Sequence, residues 1–184
     1  MPHVFGLFRA PKRGLPMEEL PEVAALEELG FENCAHAQPG GKRQVLLVDR
    51  ETLDALELRP GMIRENITTE GLNVNGLQPG ESLRVGAVLL EVSMAGTPCG
   101  QIEDLRPGLR KEIRGRRGML CRIVKGGIIR RGDGIESWPN QLLSGFMAWA
   151  CGATWAHPAA GSCLLWPSQL ARLVEPPNQN RPRS

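Results

Sequence analysis

The stretch Met119-Leu120-Cys121-Arg122-Ile123-Val124-Lys125-Gly126-Gly127-Ile128-Ile129 sets the fold class. Its residues alternate between apolar and mixed character over six positions, then meet a Gly-Gly pair, then return to β-branched residues, which is the pattern of two strands joined by a tight hairpin. The same signature stands upstream. Leu83-Arg84-Val85-Gly86 and residues 87–93 read as strands, residues 73–80 supply turn-forming Asn, Gly and Pro, and residues 63–68 read as extended chain. Gln44-Val45-Leu46-Leu47-Val48 is a short apolar run suited to a buried strand, and residues 3–8 form a first strand ended by Ala10-Pro11-Lys12-Arg13-Gly14. Two segments have helical spacing: residues 20–29, with Leu20, Val23, Ala24, Leu26 and Leu29 between acids and a stop at Gly30, and residues 50–58, capped by Asp49 and closed by Pro60-Gly61. Many short strands with few helices predict a mainly β protein with α decorations, its sheet curled as a β-barrel.

At 184 residues the chain fits one domain with an extension. The composition shifts near Ile135: all four tryptophans follow it, charge thins, and residues 176–184 read as a disordered end. The expected division is a domain over 1–138 and a Trp-rich C-terminal extension over 139–184. A net charge of +2 from nearly balanced acids and bases gives no field that would favour nucleic acid. The first residues lack the apolar core and small-residue cleavage site of a signal peptide, and the longest apolar run, 142–151, is half of what a membrane span needs. A soluble, cytoplasmic protein with no membrane or nucleic-acid partner is the expectation. Five cysteines at irregular spacing argue against a disulfide framework, and three unpaired histidines argue against structural zinc.

Three groups of residues could carry chemistry. Cysteine acts as nucleophile or metal ligand only as thiolate, and Cys99 has the most suggestive setting: Thr97-Pro98 before it restrains the backbone, and Gly100 after it admits a bulky ligand. Cys121, inside an apparent strand, reads as a small buried hydrophobe. Arg64, Asn66 and Thr68 share one face if their segment is extended, giving a guanidinium, an amide and a hydroxyl on one pocket wall; the alternative is a solvated strand face. His36, Lys42 and Arg43 border a Gly-rich loop and are either an anion clamp or a solvated loop. Arg117 ends the basic run Arg114-Gly115-Arg116-Arg117.

The ordered set Arg13-Gly14-Leu15-Pro16-Met17, Arg43-Gln44-Val45, Pro60-Gly61 with Arg64-Glu65-Asn66-Ile67-Thr68, Pro98-Cys99, and Arg117-Gly118 with Gly126-Gly127 and Gly132-Asp133 resembles the MOSC domain family, the C-terminal domain of molybdenum cofactor sulfurases. The resemblance covers roughly residues 4–135. It implies a β-barrel-type fold and binding of the molybdenum cofactor (molybdopterin), with Cys99 carrying sulfur as a persulfide or ligating molybdenum. It further implies cofactor contacts at Arg64 and Asn66, with His36, Arg43, Thr68 and Arg117 as candidate neighbours. Many family members have a Gly-Asp pair ahead of the histidine loop; here Gly30-Phe31-Glu32-Asn33 leads to Cys34-Ala35-His36. Nothing resembles the pyridoxal phosphate lysine region of the fused sulfurases, so pyridoxal phosphate is not expected on this chain, and a cysteine desulfurase or other sulfur donor is the implied partner. Three functions follow from the resemblance and the residues: a sulfur carrier acting through Cys99, a molybdenum-dependent reductase of N-hydroxylated compounds served by an electron-donor protein, or a non-catalytic module that docks through the extension.

Overall fold

Strand β5 (Val45–Asp49) organises the molecule, because all five of its residues are buried and its two faces look into different cores. The structure, a computed structural model, describes residues 1–138. In chain order the preceding strands are β1 (His3–Arg9), β2 (Glu18–Leu20), β3 (Glu22–Leu26) and β4 (Gly30–Phe31). After β5 come helix α1 (Arg50–Ala55) and strands β6 (Ile67–Glu70), β7 (Ser82–Val85) and β8 (Val88–Ala95). Two single-turn helices, α2 (Gly100–Glu103) and α3 (Leu109–Glu112), precede β9 (Met119–Lys125), β10 (Gly127–Arg130) and β11 (Ile135–Trp138).

Eight strands form one sheet in the order β11-β7-β8-β9-β5-β6-β1-β2, and three form another in the order β10-β3-β4. The mainly β expectation is met, with one refinement: the ladder of the large sheet is open. A single bridge, His3 to Gly134, with backbone bonds from Val4 to Asp133 and from Gly132 to Val4 at 2.9 and 2.8 Å, ties the start of β1 to the chain entering β11 at the opposite edge. Parallel pairing of β5 with β6 requires a crossover, and α1 lies within it. As expected, Asp49 caps that helix, its Oδ1 accepting from the Thr52 amide at 2.8 Å.

Because side chains alternate across a strand, Val45 and Leu47 enter the main core with Val4, Leu7, Val92 and Ile123, whereas Leu46 and Val48 enter a second core with Leu53, Ile63, Ile102, Leu109 and Ile113. That second core seats α2 and α3 against the sheet.

Three expectations are corrected. Residues 20–29 are not helical: Glu22–Leu26 is strand β3, pairing antiparallel with β10 and β4, and its buried residues are Val23 and Ala25, a spacing of two. The leucines at helical spacing masked that alternation. Residues 63–68 are not one strand, since Arg64 has a left-handed φ of 66° and β6 begins only at Ile67. Gly126-Gly127 is not a hairpin: β9 pairs with β5 and β8 in the large sheet, β10 with β3 in the small one. The chain changes sheets there, and Gly126 permits it, because a Cβ would lie 2.8 Å from the Ala25 carbonyl oxygen. The Trp-rich extension falls outside the described residues. No helix among the described residues is long and apolar enough to cross a membrane.

Candidate functional site

The end of β8 and the start of β9 are held together where Gly96 donates to the Gly118 carbonyl at 2.8 Å. No side chain fits at either glycine: a Cβ on Gly96 would lie 2.8 Å from the Arg117 carbonyl, and one on Gly118 would lie 1.9 Å from that of Leu47. This close approach launches the arm Thr97-Pro98-Cys99 from the sheet. Cys99 occupies the N-cap position of α2 without a side-chain capping bond, and its thiol is free and exposed.

Arg117 staples the arm to the turn before β6. Its Nη1 donates to the Thr97 carbonyl at 2.6 Å and its Nη2 to the Ile63 carbonyl at 3.3 Å, while the buried Nε has no partner. Burial pushes the Arg117 guanidinium below its ordinary value, the charges of Cys99 and Glu65 oppose that shift, and Arg43 and Arg64 add to it. Arg117, Arg64, Arg43 and Cys99 therefore share one electrostatic neighbourhood. From its left-handed turn Arg64 reaches outward, donating to the Leu15 carbonyl at 3.0 Å and approaching His36 Nε2 at 3.3 Å. The turn itself is braced by buried Glu65, whose Oε1 accepts from the Gly61 amide and, at 3.1 Å, from the Thr68 hydroxyl.

Of the residues singled out in the sequence, five converge. His36, Arg43, Arg64, Cys99 and Arg117 line a hollow of about 260 Å³ with no carboxylate in its wall. Asn66 also borders it, but its amide is engaged inside the fold: Oδ1 accepts from the Leu46 amide at 3.1 Å, and Nδ2 donates to the Phe8 carbonyl at 3.2 Å and to the Cys34 sulfur at 3.9 Å. Thr68 is not in the wall. It is fully buried and its hydroxyl is spent on Glu65, because the turn at Arg64 breaks the alternation that would have aligned the three polar residues. Cys121 is buried in the main core, and burial pushes its thiol far up.

Three residues were not anticipated. Gln101 lines the hollow beside Cys99. Glu65 is fully buried, and burial raises its carboxyl despite the hydrogen bonds it accepts. Cys34 is nearly buried; burial pushes its thiol up, but hydrogen bonds from the His36 side chain and from the backbone of His36 and Ala10 outweigh that and lower it to about 7. The spacing Cys34-Ala35-His36 was the available signal, since a turn brings residues two apart together.

The cationic hollow suits an anion such as the phosphate of molybdopterin, and the exposed thiol beside it is a soft donor of the kind molybdenum accepts. Three guanidiniums, one with an unpartnered buried N–H, fit that group. No cluster of three His, Cys, Asp or Glu able to hold a metal stands among the described residues.

Solved structures share the fold. YuaD from Bacillus subtilis superposes with a TM-score of 0.65 at 18% identity, over 74% of this chain and 96% of that one. YiiM from Geobacillus stearothermophilus gives 0.63 at 18% identity over 76% of each chain, and YiiM from Escherichia coli gives 0.58 at 21% identity over 76% of this chain and 70% of that one. No curated protein sequence matches the chain. The sequence model of the MOSC domain matches residues 35–136, a span that starts at the Cys34-His36 turn, takes in Arg64, Cys99 and Arg117, and covers more than half of the chain. By that match, the chain belongs to the MOSC domain family.

Proposed function

We propose that this protein binds the molybdenum cofactor and carries sulfur on Cys99 as a persulfide for metal-sulfur cofactor assembly. One observation carries the reading: the exposed Cys99 thiol shares a hollow with Arg43, Arg64, Arg117 and His36, so a sulfur nucleophile and an anion-binding wall face the same space.

In sulfur loading, the Cys99 thiolate attacks the outer sulfur of a donor persulfide. The S–S bond of the donor breaks, a new S–S bond forms on Cys99, and the donor leaves as a thiolate that takes up the proton released by Cys99. No net oxidation occurs. Arg117 faces the negative charge on either form of the sulfur, and its bond to the Thr97 carbonyl fixes the arm that presents it. Arg43, Arg64 and His36 would hold the cofactor phosphate, and Cys99 would supply the one protein sulfur to its metal. When bound, the cofactor supplies a metal centre that accepts sulfur or exchanges electrons. The sulfur donor in this reading is a separate protein, a cysteine desulfurase.

The test is labelling with a ³⁵S-loaded cysteine desulfurase, followed by non-reducing mass analysis and molybdenum assay of anaerobically purified protein. Stoichiometric label on Cys99, absent in Cys99→Ser, is the expected result. Absence of label together with molybdenum that is retained by the parent and lost in Cys99→Ser would replace it with the reductase reading, in which Cys99 ligates molybdenum, N-hydroxylated compounds are the substrates and an electron-donor protein is needed.

A further inference from the structure

The arm that carries Cys99 also borders a basic surface. Ala95, Thr97 and Pro98 form one wall of a hollow of about 430 Å³, and Arg110, Arg114 and Gly115 form the other. No carboxylate lines it, and it shares only Thr97 with the cationic hollow. Leu109 and Ile113 are fully buried in the second core and fix α3 to the sheet, while Arg110, Lys111 and Arg114 stand exposed.

These three cations are unneutralised, unlike those on the strands. Arg9, Arg84, Arg122 and Arg130 each meet a carboxylate at 2.5–3.2 Å. Around α3 the carboxylates are committed elsewhere. Glu103 accepts from the backbone amides of Gly108 and Arg110 at 2.7 and 3.1 Å, Glu112 pairs with Arg106 at 2.8 Å, and Asp104 borders a separate hollow with Met62 and Leu105. Among the described residues Arg110, Lys111 and Arg114 form no ion pair. Three free cations beside Ala95 and Pro98 are complementary to an acidic protein segment, and they are too few for nucleic acid, whose binding draws on many phosphate contacts.

The place of this surface matters as much as its charge. Thr97 and Cys99 are two residues apart, so their Cα atoms are at most about 7 Å from each other. Arg117 holds the Thr97 carbonyl at 2.6 Å, which keeps the arm in place between the basic surface and the exposed thiol. A protein seated on Arg110 and Arg114 therefore lies beside Cys99 without entering the cationic hollow.

We propose that the surface formed by Arg110, Lys111, Arg114 and the Thr97-Pro98 arm is the docking site for an acidic segment of the protein that donates sulfur to Cys99. This rests on the sulfur-carrier reading and adds to it the chemistry by which the donor is recognised.

The full chain and its Arg110→Gln/Arg114→Gln double variant are compared for ³⁵S transfer to Cys99 from a loaded cysteine desulfurase and from cysteine persulfide, a small donor that needs no docking surface. Transfer from the desulfurase should slow about fivefold in the double variant, and by a similar factor in the parent between about 50 and about 300 mM salt, because charges at the rim of an interface set the rate of encounter. Loading by cysteine persulfide should stay within about twofold of the parent. An unchanged rate from the desulfurase, or an equal loss with both donors, overturns the assignment. Binding of a fluorescent octaglutamate peptide is a second readout that involves no sulfur; it should weaken about fivefold in the double variant and be unchanged in Cys99→Ser. If neither donor labels the parent, the sulfur-carrier reading fails and the peptide alone decides: binding weakened in the double variant upholds an acidic docking site, and binding unchanged removes it. Duplex DNA bound as tightly as the peptide would also overturn the assignment, in favour of a nucleic-acid surface.

Discussion

The Arg64 guanidinium lies 3.3 Å from Nε2 of His36, and a guanidinium can only donate. The guanidinium is therefore the donor of any hydrogen bond across this contact. The ring also acts on the Cys34 thiol, whose sulfur accepts from Asn66 Nδ2 at 3.9 Å, so Cys34, His36 and Arg64 adjoin one another beside the hollow that holds Cys99. His36→Ala removes one of the two anchors of Arg64 and should weaken phosphate binding by about tenfold, the loss of one charge-assisted hydrogen bond, roughly 1.5 kcal/mol. Calorimetric titration with phosphate checks this; an unchanged affinity would show that Arg64 needs no support from the ring.

Cys34 and Cys121 are both buried, yet their thiols are shifted in opposite directions. Cys34 is lowered to about 7 by hydrogen bonds, whereas Cys121 has only burial and the Glu91 charge, both of which raise it. In a Cys99→Ser background, slow modification by a small alkylating reagent should occur at Cys34, rise through about pH 7, and spare Cys121. His36→Ala should move that rise to higher pH. The sign for stability follows: a folded-state value below the unfolded one adds stability above the unfolded value, and that stability is lost as pH falls through about 7. The gap in melting temperature between the parent and Cys34→Ala should therefore widen from pH 6 to pH 9.

Glu65 has the opposite linkage. Burial raises its carboxyl, so the protonated form suits the fold; that contribution is complete below the ordinary carboxylate range and declines as pH rises through the folded-state value. Glu65→Gln keeps an acceptor for the Gly61 amide and the Thr68 hydroxyl while removing the charge. Its melting temperature should match the parent near pH 4 and exceed it near pH 8, by on the order of 4 °C, about 1 kcal/mol for a domain of this size. A variant less stable than the parent at pH 8 would mean that the Arg117 charge compensates the carboxylate more than its burial costs.

Much of this architecture was legible because the apolar runs are strong. Val45-Leu46-Leu47-Val48 reads directly as a buried strand, and Asp49 as the cap that turns it into α1. Residues 20–29 misled because Leu20, Leu26 and Leu29 fall at helical intervals, whereas partners over a hundred residues away, in β10, decide the matter by pairing with Val23 and Ala25. Cys99 and Arg117 were readable from Pro98 and from the basic run. Their meeting was not, since it depends on Gly96 and Gly118 letting two backbones touch. Thr68 lies outside the wall of the hollow for a local reason: after the left-handed backbone at Arg64 its hydroxyl is buried against Glu65.

Asn66 separates holding the fold from holding a ligand. Its side chain accepts from the Leu46 amide on β5 and donates to the Phe8 carbonyl on β1, and its own backbone amide and carbonyl bond the same two residues, to Leu46 and from Phe8, each at 2.8 Å. Asn66→Ala leaves a buried N–H and a buried C=O without side-chain partners, which should cost about 2–4 kcal/mol of stability. Asn66→Asp keeps the acceptor for Leu46 but sets a carboxylate oxygen against the Phe8 carbonyl, so it should be no more stable than Asn66→Ala at neutral pH and should recover as the carboxyl protonates. Phosphate affinity of the folded Asn66→Ala fraction should stay within about twofold of the parent, because the guanidiniums of Arg43, Arg64 and Arg117 remain in the wall. Urea denaturation paired with phosphate titration separates the two effects: a large loss of affinity with little loss of stability would return Asn66 to the role of a direct cofactor contact.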